Sequence, residues 1–434
     1  MARPNILYIH AHDTGRYVQP YGHAVATPNI QKLAEEGVLF RKAFCAAPTC
    51  SPSRAALLTG QSPHSAGMIG LVNRGYDLGD HRQHIVTTLR GAGYHTVLSG
   101  LQHVARDPND IGYDEIRTTS GRAGASHAVE FLNAASRTPS DKPFYLEVGF
   151  FENHRVFPEP TVDDRYCLPP APLPDTPKTR RDMAAYKTMA QHLDTKMGAV
   201  FAALERNGLA ENTLVICTTD HGLAFPGLKC NLTDHGMGVM LIMRGPGGFT
   251  GGKVRDAMLS QIDIFPTLCE LLDIDRPEWL QGRSFLAVVS GVRDEVNEDV
   301  FAEVTYHAAY EPKRAVRTQR WKYIRHFDGR NRPVLSNCDD GPSKEDWLDA
   351  GWQGRHVDEE RLYDLAFDPN ETQNRAADAD VAATLDHMRA RLDRWMRATD
   401  DPLLDGAHVQ PPPGTSYNDP DGLSPNEKAT VVAG

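Results

Sequence analysis

The sequence predicts an α/β fold, a sheet sandwiched by helices, followed by a smaller α+β unit of antiparallel strands and a helix. Three observations carry this. Short apolar runs bounded by turn residues recur at 5–10, 96–99, 144–149, 213–218 and 239–243, separated by stretches of helical patterning. Across 181–207, Tyr186, Met189, Leu193, Met197, Val200, Phe201 and Leu204 fall on one helical face, and Gly208 supplies a stop. Near 290–300 the texture changes: Arg314-Ala315-Val316-Arg317 and Trp321-Lys322-Tyr323-Ile324 read as antiparallel strands, and 376–397 as an amphipathic helix.

In chain order, Asn5-Ile6-Leu7-Tyr8-Ile9 is the first strand, and it starts so soon after Met1 that no room is left for a secretory leader; a cytoplasmic location is the expectation. Between 157 and 177 the prolines at 158, 160, 169, 170, 172, 174 and 177 forbid a regular element and predict an ordered loop draped over the domain. From about 400 the chain is rich in Pro, Gly, Asp and Asn without periodicity, the composition of a tail. The expected division is a catalytic α/β domain at 1–295, an α+β subdomain at 296–400 and an irregular tail at 401–434.

Composition narrows the function. The 434 residues suffice for one large core with a companion unit. A net charge of -11 without a long basic run argues against nucleic acid, so an anionic substrate must be held by local charges. No apolar stretch is long enough to cross a bilayer. The seven cysteines, at 45, 50, 167, 217, 230, 269 and 338, never form a CxxC pair and do not suggest a disulfide framework.

In a parallel α/β sheet ligands bind beyond the carboxyl ends of the strands. Four such ends carry histidine or aspartate here: His12 and Asp13, His103, His154, and Asp220 with His221. His12, Asp13, Asp220 and His221 offer the oxygen and nitrogen donors of a divalent-metal site, and two imidazoles among them suit manganese or zinc better than an all-oxygen calcium cage.

The run Cys50-Ser51-Pro52-Ser53-Arg54, continuing Ala55-Ala56-Leu57-Leu58-Thr59-Gly60, reads as a helix start, with Ser51 able to cap, Pro52 suited to the first helical position and an amino end that favours an anion. The pattern Cys-x-Pro-Ser-Arg resembles the signature of type I sulfatases, members of the alkaline phosphatase superfamily. The resemblance extends over Pro4-Asn5-Ile6-Leu7, Thr27-Pro28-Asn29-Ile30, Asp220-His221-Gly222, Asp263-Ile264-Phe265-Pro266-Thr267-Leu268 and Leu362-Tyr363-Asp364-Leu365. Pro174-Asp175-Thr176-Pro177, Asn153-His154-Arg155 and Lys229-Cys230-Asn231-Leu232 look like the sulfamidase branch.

The resemblance implies an alkaline-phosphatase-like fold and oxidation of Cys50 to formylglycine by a formylglycine-generating enzyme. It further implies one divalent ion, calcium by family habit, held by His12, Asp13, Asp220 and His221 with position 50 as a further ligand, and a sulfate ester or sulfamate of a sugar as substrate. Arg54 would hold the aldehyde hydrate, Lys229 would neutralise sulfuryl oxygens, and His154 would protonate the leaving group with His103 assisting. The sulfamidase likeness also suggests a homodimer. Two departures stand out: His12 replaces one of the paired carboxylates, and Gly100-Leu101-Gln102-His103 lacks the lysine of the Gly-Lys-x-His segment that many relatives carry. Phosphonate monoester and phosphodiester hydrolases share the Cys-x-x-x-Arg helix and are the competing reading. A thiol hydrolase with unoxidised Cys50, or a glycan binder without catalysis, are the remoter ones.

Overall fold

The computed structural model describes residues 3–137, 141–406 and 408–433. All of β1 (Asn5–Ala11) is buried. Its side chains alternate between two cores, Ile6 and Tyr8 on one side and Leu7, Ile9 and Ala11 on the other. A strand covered on both faces needs an unbroken apolar run. With β2 (Val38–Phe44), β3 (His95–Gly100), β4 (Glu115–Thr118), β5 (Phe144–Gly149), β6 (Thr213–Thr219), β7 (Leu241–Arg244) and β8 (Lys253–Ser260) it forms one sheet, in the order β4-β3-β5-β1-β6-β7-β2-β8. The strands from β4 to β6 are mutually parallel, β7 is antiparallel to both its neighbours, and β2 and β8 are parallel to each other.

Helices Pro28–Glu36, Gly124–Arg137 and Pro177–Arg206 cover one face; Cys50–Thr59, Ile85–Gly91 and Ile264–Leu272 cover the other. The long helix begins at Pro177, four residues before the start expected from the apolar stripe. Thr176 caps it in a reciprocal box with Thr179, so the last proline of the proline-rich loop is its first helical residue.

The smaller sheet runs β12-β11-β10-β9, with β9 (Val300–Tyr306), β10 (Tyr310–Arg317), β11 (Trp321–His326) and β12 (Glu360–Asp364), antiparallel throughout. Val316, Tyr323 and Leu362 pack against Leu385, Met388 and Leu392 of helix Ala382–Ala398. The opposite face, through Ala302, Val304, Ala315 and Ile324, joins the core of the large sheet. The tail wraps this junction: Asn418 N donates to Ala308 O at 2.8 Å, Tyr306 Oη to Val409 O at 2.9 Å, and Ser416–Tyr417 pairs with Thr430–Val431.

A buried ion network ties the residues after 400, the small sheet and the large-sheet half together. Arg314 grips Asp401 through Nε at 2.6 Å and Nη2 at 3.0 Å, while Glu303 accepts from His64 N at 2.9 Å and pairs with the His64 ring. His64, Glu303 and Asp401 converge as metal ligands would, but Arg314 supplies the positive charge from within. Burial opposes protonation of His64, yet the Glu303 carboxylate, with Asp401 behind it, raises its pKa. A raised folded pKa contributes stability that is complete below the unfolded value of about 6.5 and lost as pH rises through the folded one. Thermal melts should therefore show the wild type losing stability on the alkaline side of that value, with a flatter profile for His64→Gln.

Candidate active site

The strands β1, β3, β5 and β6 run in the same direction, so their carboxyl ends open on one edge of the sheet. That edge gathers the candidate site residues His12, Asp13, Cys50, Arg54, His103, His154, Asp220, His221 and Lys229. Asp13, His103 and Cys230 there adopt left-handed backbone conformations (φ 42, 62 and 62°), which non-glycine residues hold only when their surroundings over-determine them. Gly222 is required next to His221, because a Cβ on it would collide with His235 O.

Cys50 opens its helix, buried, behind an N-cap at Thr49 that makes no side-chain capping bond. The expected cap, Ser51, lies inside the helix instead, which makes Pro52 its third residue and not its first, and the Ser51 Oγ accepts from Val72 N at 3.1 Å and sits 3.4 Å from His103 Nδ1. The Cys50 Sγ is 3.3 Å from His221 Nε2. Burial, aided by Asp13 and Asp220, keeps the thiol well above its usual pKa against the pull of Lys229 and Arg54. A protonated thiol is a poor nucleophile.

Asp220 is the hub. Its Oδ1 accepts from Asp13 N and His221 N, both at 2.9 Å, and its Oδ2 from Arg54 Nη2 at 2.9 Å. Burial opposes its ionisation, but His221, Arg54 and His12 hold its pKa well below the carboxylate range. Arg54 also donates to Ala11 O at 2.9 Å and meets the His10 ring. The guanidinium is thus turned toward Asp220 and the end of β1.

Lys229 Nζ lies 3.1 Å from Asp13 Oδ2 and 2.9 Å from Asp339 Oδ2. Burial works against its charge, yet Asp13 first and Asp339 next raise its pKa well above the usual value. His103 is pushed down to about 3, by burial and then Arg54, and is neutral at pH 7. The His154 ring stands 5.4 Å from that of His12, and its Nδ1 faces Arg155 O at 2.6 Å. With Nδ1 engaged there, Nε2 is the ring nitrogen left for another partner.

Gln102 does not replace the missing lysine. Its Oε1 accepts from Val104 N at 2.5 Å and Ala105 N at 3.0 Å, and its Nε2 donates to Ala105 O at 2.7 Å, so the amide is consumed in shaping its own loop. Gln102→Lys should accordingly give no gain in turnover and should cost about 1–3 kcal/mol in urea unfolding, because buried amides lose their acceptor. Asp339 and His307 are site residues the sequence did not disclose. Cys338-Asp339-Asp340-Gly341 has the composition of an ordinary turn, and His307 follows β9 in the small sheet.

The donor set fits a divalent cation. Ligand atoms of His12, Asp13, Cys50 and Asp220 lie within 4.8 Å of one another, all buried. His12 Nδ1 lies 3.2 Å from Asp220 Oδ2, while His12 Nε2 and Asp13 Oδ1 have no hydrogen-bond partner, an expensive state unless something else binds them. His221 stands outside this group of four, but its Nδ1 faces Gly222 O at 3.0 Å while Nε2 is 3.3 Å from Asp13 Oδ1. Two such acceptors facing each other call for a proton or a cation between them.

Fold and site define an α/β protein with a buried cluster of cation-type donors at one edge of a mixed sheet. A family model described as Sulfatase matches residues 4–274, more than half of the sequence, and one described as N-sulphoglucosamine sulphohydrolase, C-terminal, matches 229–346. The chain belongs to the sulfatase family. It is 29% identical to human N-sulphoglucosamine sulphohydrolase, over 93% of this chain and 92% of that protein. It is 25% identical to the Delta 4,5-hexuronate-2-O-sulfatase of Bacteroides thetaiotaomicron, over 92% and 90%. Among solved structures, the phosphonate monoester hydrolase of Agrobacterium radiobacter shares the fold with a TM-score of 0.71 at 22% identity, covering 92% of this chain and 96% of that one. No helix among the described residues is long and apolar enough to cross a membrane.

Proposed function

We propose that the protein hydrolyses sulfate esters or sulfamates of a sugar, with Cys50 matured to formylglycine as the nucleophile. The observation that carries this is the gathering of position 50, Asp13, Asp220 and His12 within 4.8 Å at the sheet edge, with the ammonium of Lys229 on Asp13. A formylglycine-generating enzyme would be the maturation partner, and residues 1–295 the unit that holds the nucleophile. His12, Asp13 and Asp220, with position 50 and His221 beside them, would hold one divalent ion, which supplies electrostatic stabilisation of the sulfuryl oxygens and acidifies the nucleophile. The imidazole among the carboxylates favours manganese or zinc over calcium.

The chain's own groups do the rest. Lys229 neutralises charge on the sulfuryl oxygens, a stabilisation that is strongest where water is excluded. Arg54 keeps Asp220 ionised and aligned. His154 delivers a proton to the leaving oxygen or nitrogen through Nε2, and neutral His103, next to Ser51, accepts the proton that lets the hydrate collapse and release sulfate. His154→Ala should lower kcat by about 10²–10⁴-fold on an alkyl sulfate or sulfamate, and far less on an aryl sulfate whose phenolate leaves unaided. Rates on a sulfate monoester and a phosphate diester, in matched metals, test the reading as a whole. Faster turnover of the diester would overturn it in favour of the phosphonate and phosphodiester class.

A further inference from the structure

Asp339 has no place in the chemistry just described, yet its position is tightly specified. Asn337 seats its loop on the β9–β10 turn: Oδ1 accepts from Ala309 N at 2.8 Å, and Nδ2 donates to Ala309 O at 3.3 Å and to Glu311 Oε2 at 3.0 Å. Lys344 Nζ donates to Cys338 O at 2.7 Å. On the far side Ser343 N donates to Asp182 Oδ2 at 3.2 Å, the carboxylate that also takes Arg155 in a two-pronged pair at 2.8 and 2.7 Å. A side chain at Gly341 would collide with the Arg155 guanidinium, so the loop lies directly on the segment that carries His154. Anchored at both ends, it delivers Asp339 Oδ2 to 2.9 Å from Lys229 Nζ, whose other contact is Asp13 Oδ2 at 3.1 Å.

One ammonium is therefore shared by two carboxylates. Burial disfavours the charge on Asp339, but Lys229 above all, then His307 and His154, hold its pKa well below the usual range, so it is ionised at neutral pH. His307, close by and buried, is kept neutral by burial and by Lys229. A second carboxylate is unnecessary to hold Lys229 in place, and it subtracts from the field that the lysine offers an incoming anion.

We propose that Asp339 is a specificity-determining residue that tunes the anion pocket to a singly charged sulfuryl group and drives out a doubly charged one. The proposal rests on the sulfatase reading. Water cleaves the S–O bond of R–OSO3⁻ to give R–OH, SO4²⁻ and a proton; for a sulfamate the S–N bond breaks and the proton goes to the amine. The substrate's sulfuryl group thus carries one negative charge and the product two. Repulsion by a fixed carboxylate scales with the product of the charges, so Asp339 penalises bound sulfate about twice as much as bound substrate. Release is promoted while substrate binding is largely spared, and dianionic phosphate monoesters are rejected by the same charge.

The test is direct titration of sodium sulfate into the matured, metal-loaded enzyme by calorimetry, with KM and kcat for an aryl sulfate measured on the same preparations. Asp339→Asn keeps an oxygen for Lys229 and removes the charge; Asp339→Ser is a second neutral variant, and Asp339→Glu retains the charge. Both neutral variants should bind sulfate about tenfold more tightly, with product inhibition strengthened equally and substrate KM lowered only about threefold, while the Glu variant stays near wild type. Unchanged, weaker or undetectable sulfate binding in folded neutral variants overturns the proposal. Because the titration needs no turnover, a wild type that binds sulfate but fails to cleave the ester sinks the functional reading and still decides the role of Asp339.

Discussion

Cys50→Ala is expected to lower turnover of an aryl sulfate by at least about four orders of magnitude, since on the proposed reading it removes the thiol whose oxidation yields the nucleophilic aldehyde hydrate. The fold should survive. Cys50 Sγ has a hydrogen-bond-range contact with His221 Nε2, and the helix behind it is held by Ala55, Leu57 and Leu58 in the large core and by Ser53 Oγ donating to Asp220 O at 2.6 Å. Cys50→Ser separates the chemistry further. Serine keeps a hydroxyl in the same place but offers no thiol for oxidation, so it should be as inactive as alanine if the aldehyde is needed, and measurably active if any hydroxyl suffices. Intact-mass measurement of the wild type should find the mass of an aldehyde at position 50, and a hydrazide probe should label wild type alone. A wild type that stays a thiol and is nevertheless fully active would remove the nucleophile assignment; the burial that holds this thiol protonated argues against that outcome.

How far the site could be read from the sequence depended on where each residue sits. The central strands β1, β3, β5 and β6 are buried on both faces and spell themselves as apolar runs, and the polar residues just past their ends are legible as the lip of a cleft. β2 carries exposed Arg41 beside half-buried Lys42, and edge strands β4 and β8 are only partly covered, so none shows such a run. Asp339 was invisible for a different reason. It reaches Lys229 from a loop more than a hundred residues away, and nothing in local spacing records that contact. Gln102 shows the converse: it stands beside the place where the motif has its lysine, yet its amide is bound up in its own turn. The residue types at a motif's positions are readable from sequence; the direction in which a side chain points is settled by packing.

Asp220→Ala is expected to destabilise the protein by about 3–5 kcal/mol in urea unfolding, and to abolish both metal retention and turnover. The magnitude follows from what the substitution strands. Arg54 would remain buried with its charge uncompensated, and the backbone N–H groups of Asp13 and His221 would lose their common acceptor at 2.9 Å. Asp13 matters most here, because its left-handed backbone is pinned by that bond and its own carboxylate must be aimed at both the cation site and Lys229. Asp220→Asn divides these effects. The amide oxygen can still accept from the two backbone N–H groups, so folding should be damaged less, yet the charge that balances Arg54 and would bind the ion is gone. The Asn variant should therefore unfold nearer to wild type while elemental analysis finds it depleted of metal and assays find it inactive. If it instead keeps stoichiometric metal and near-native rates, the centre must be built on other donors, and the pairing of Asp220 with Arg54 is structural alone.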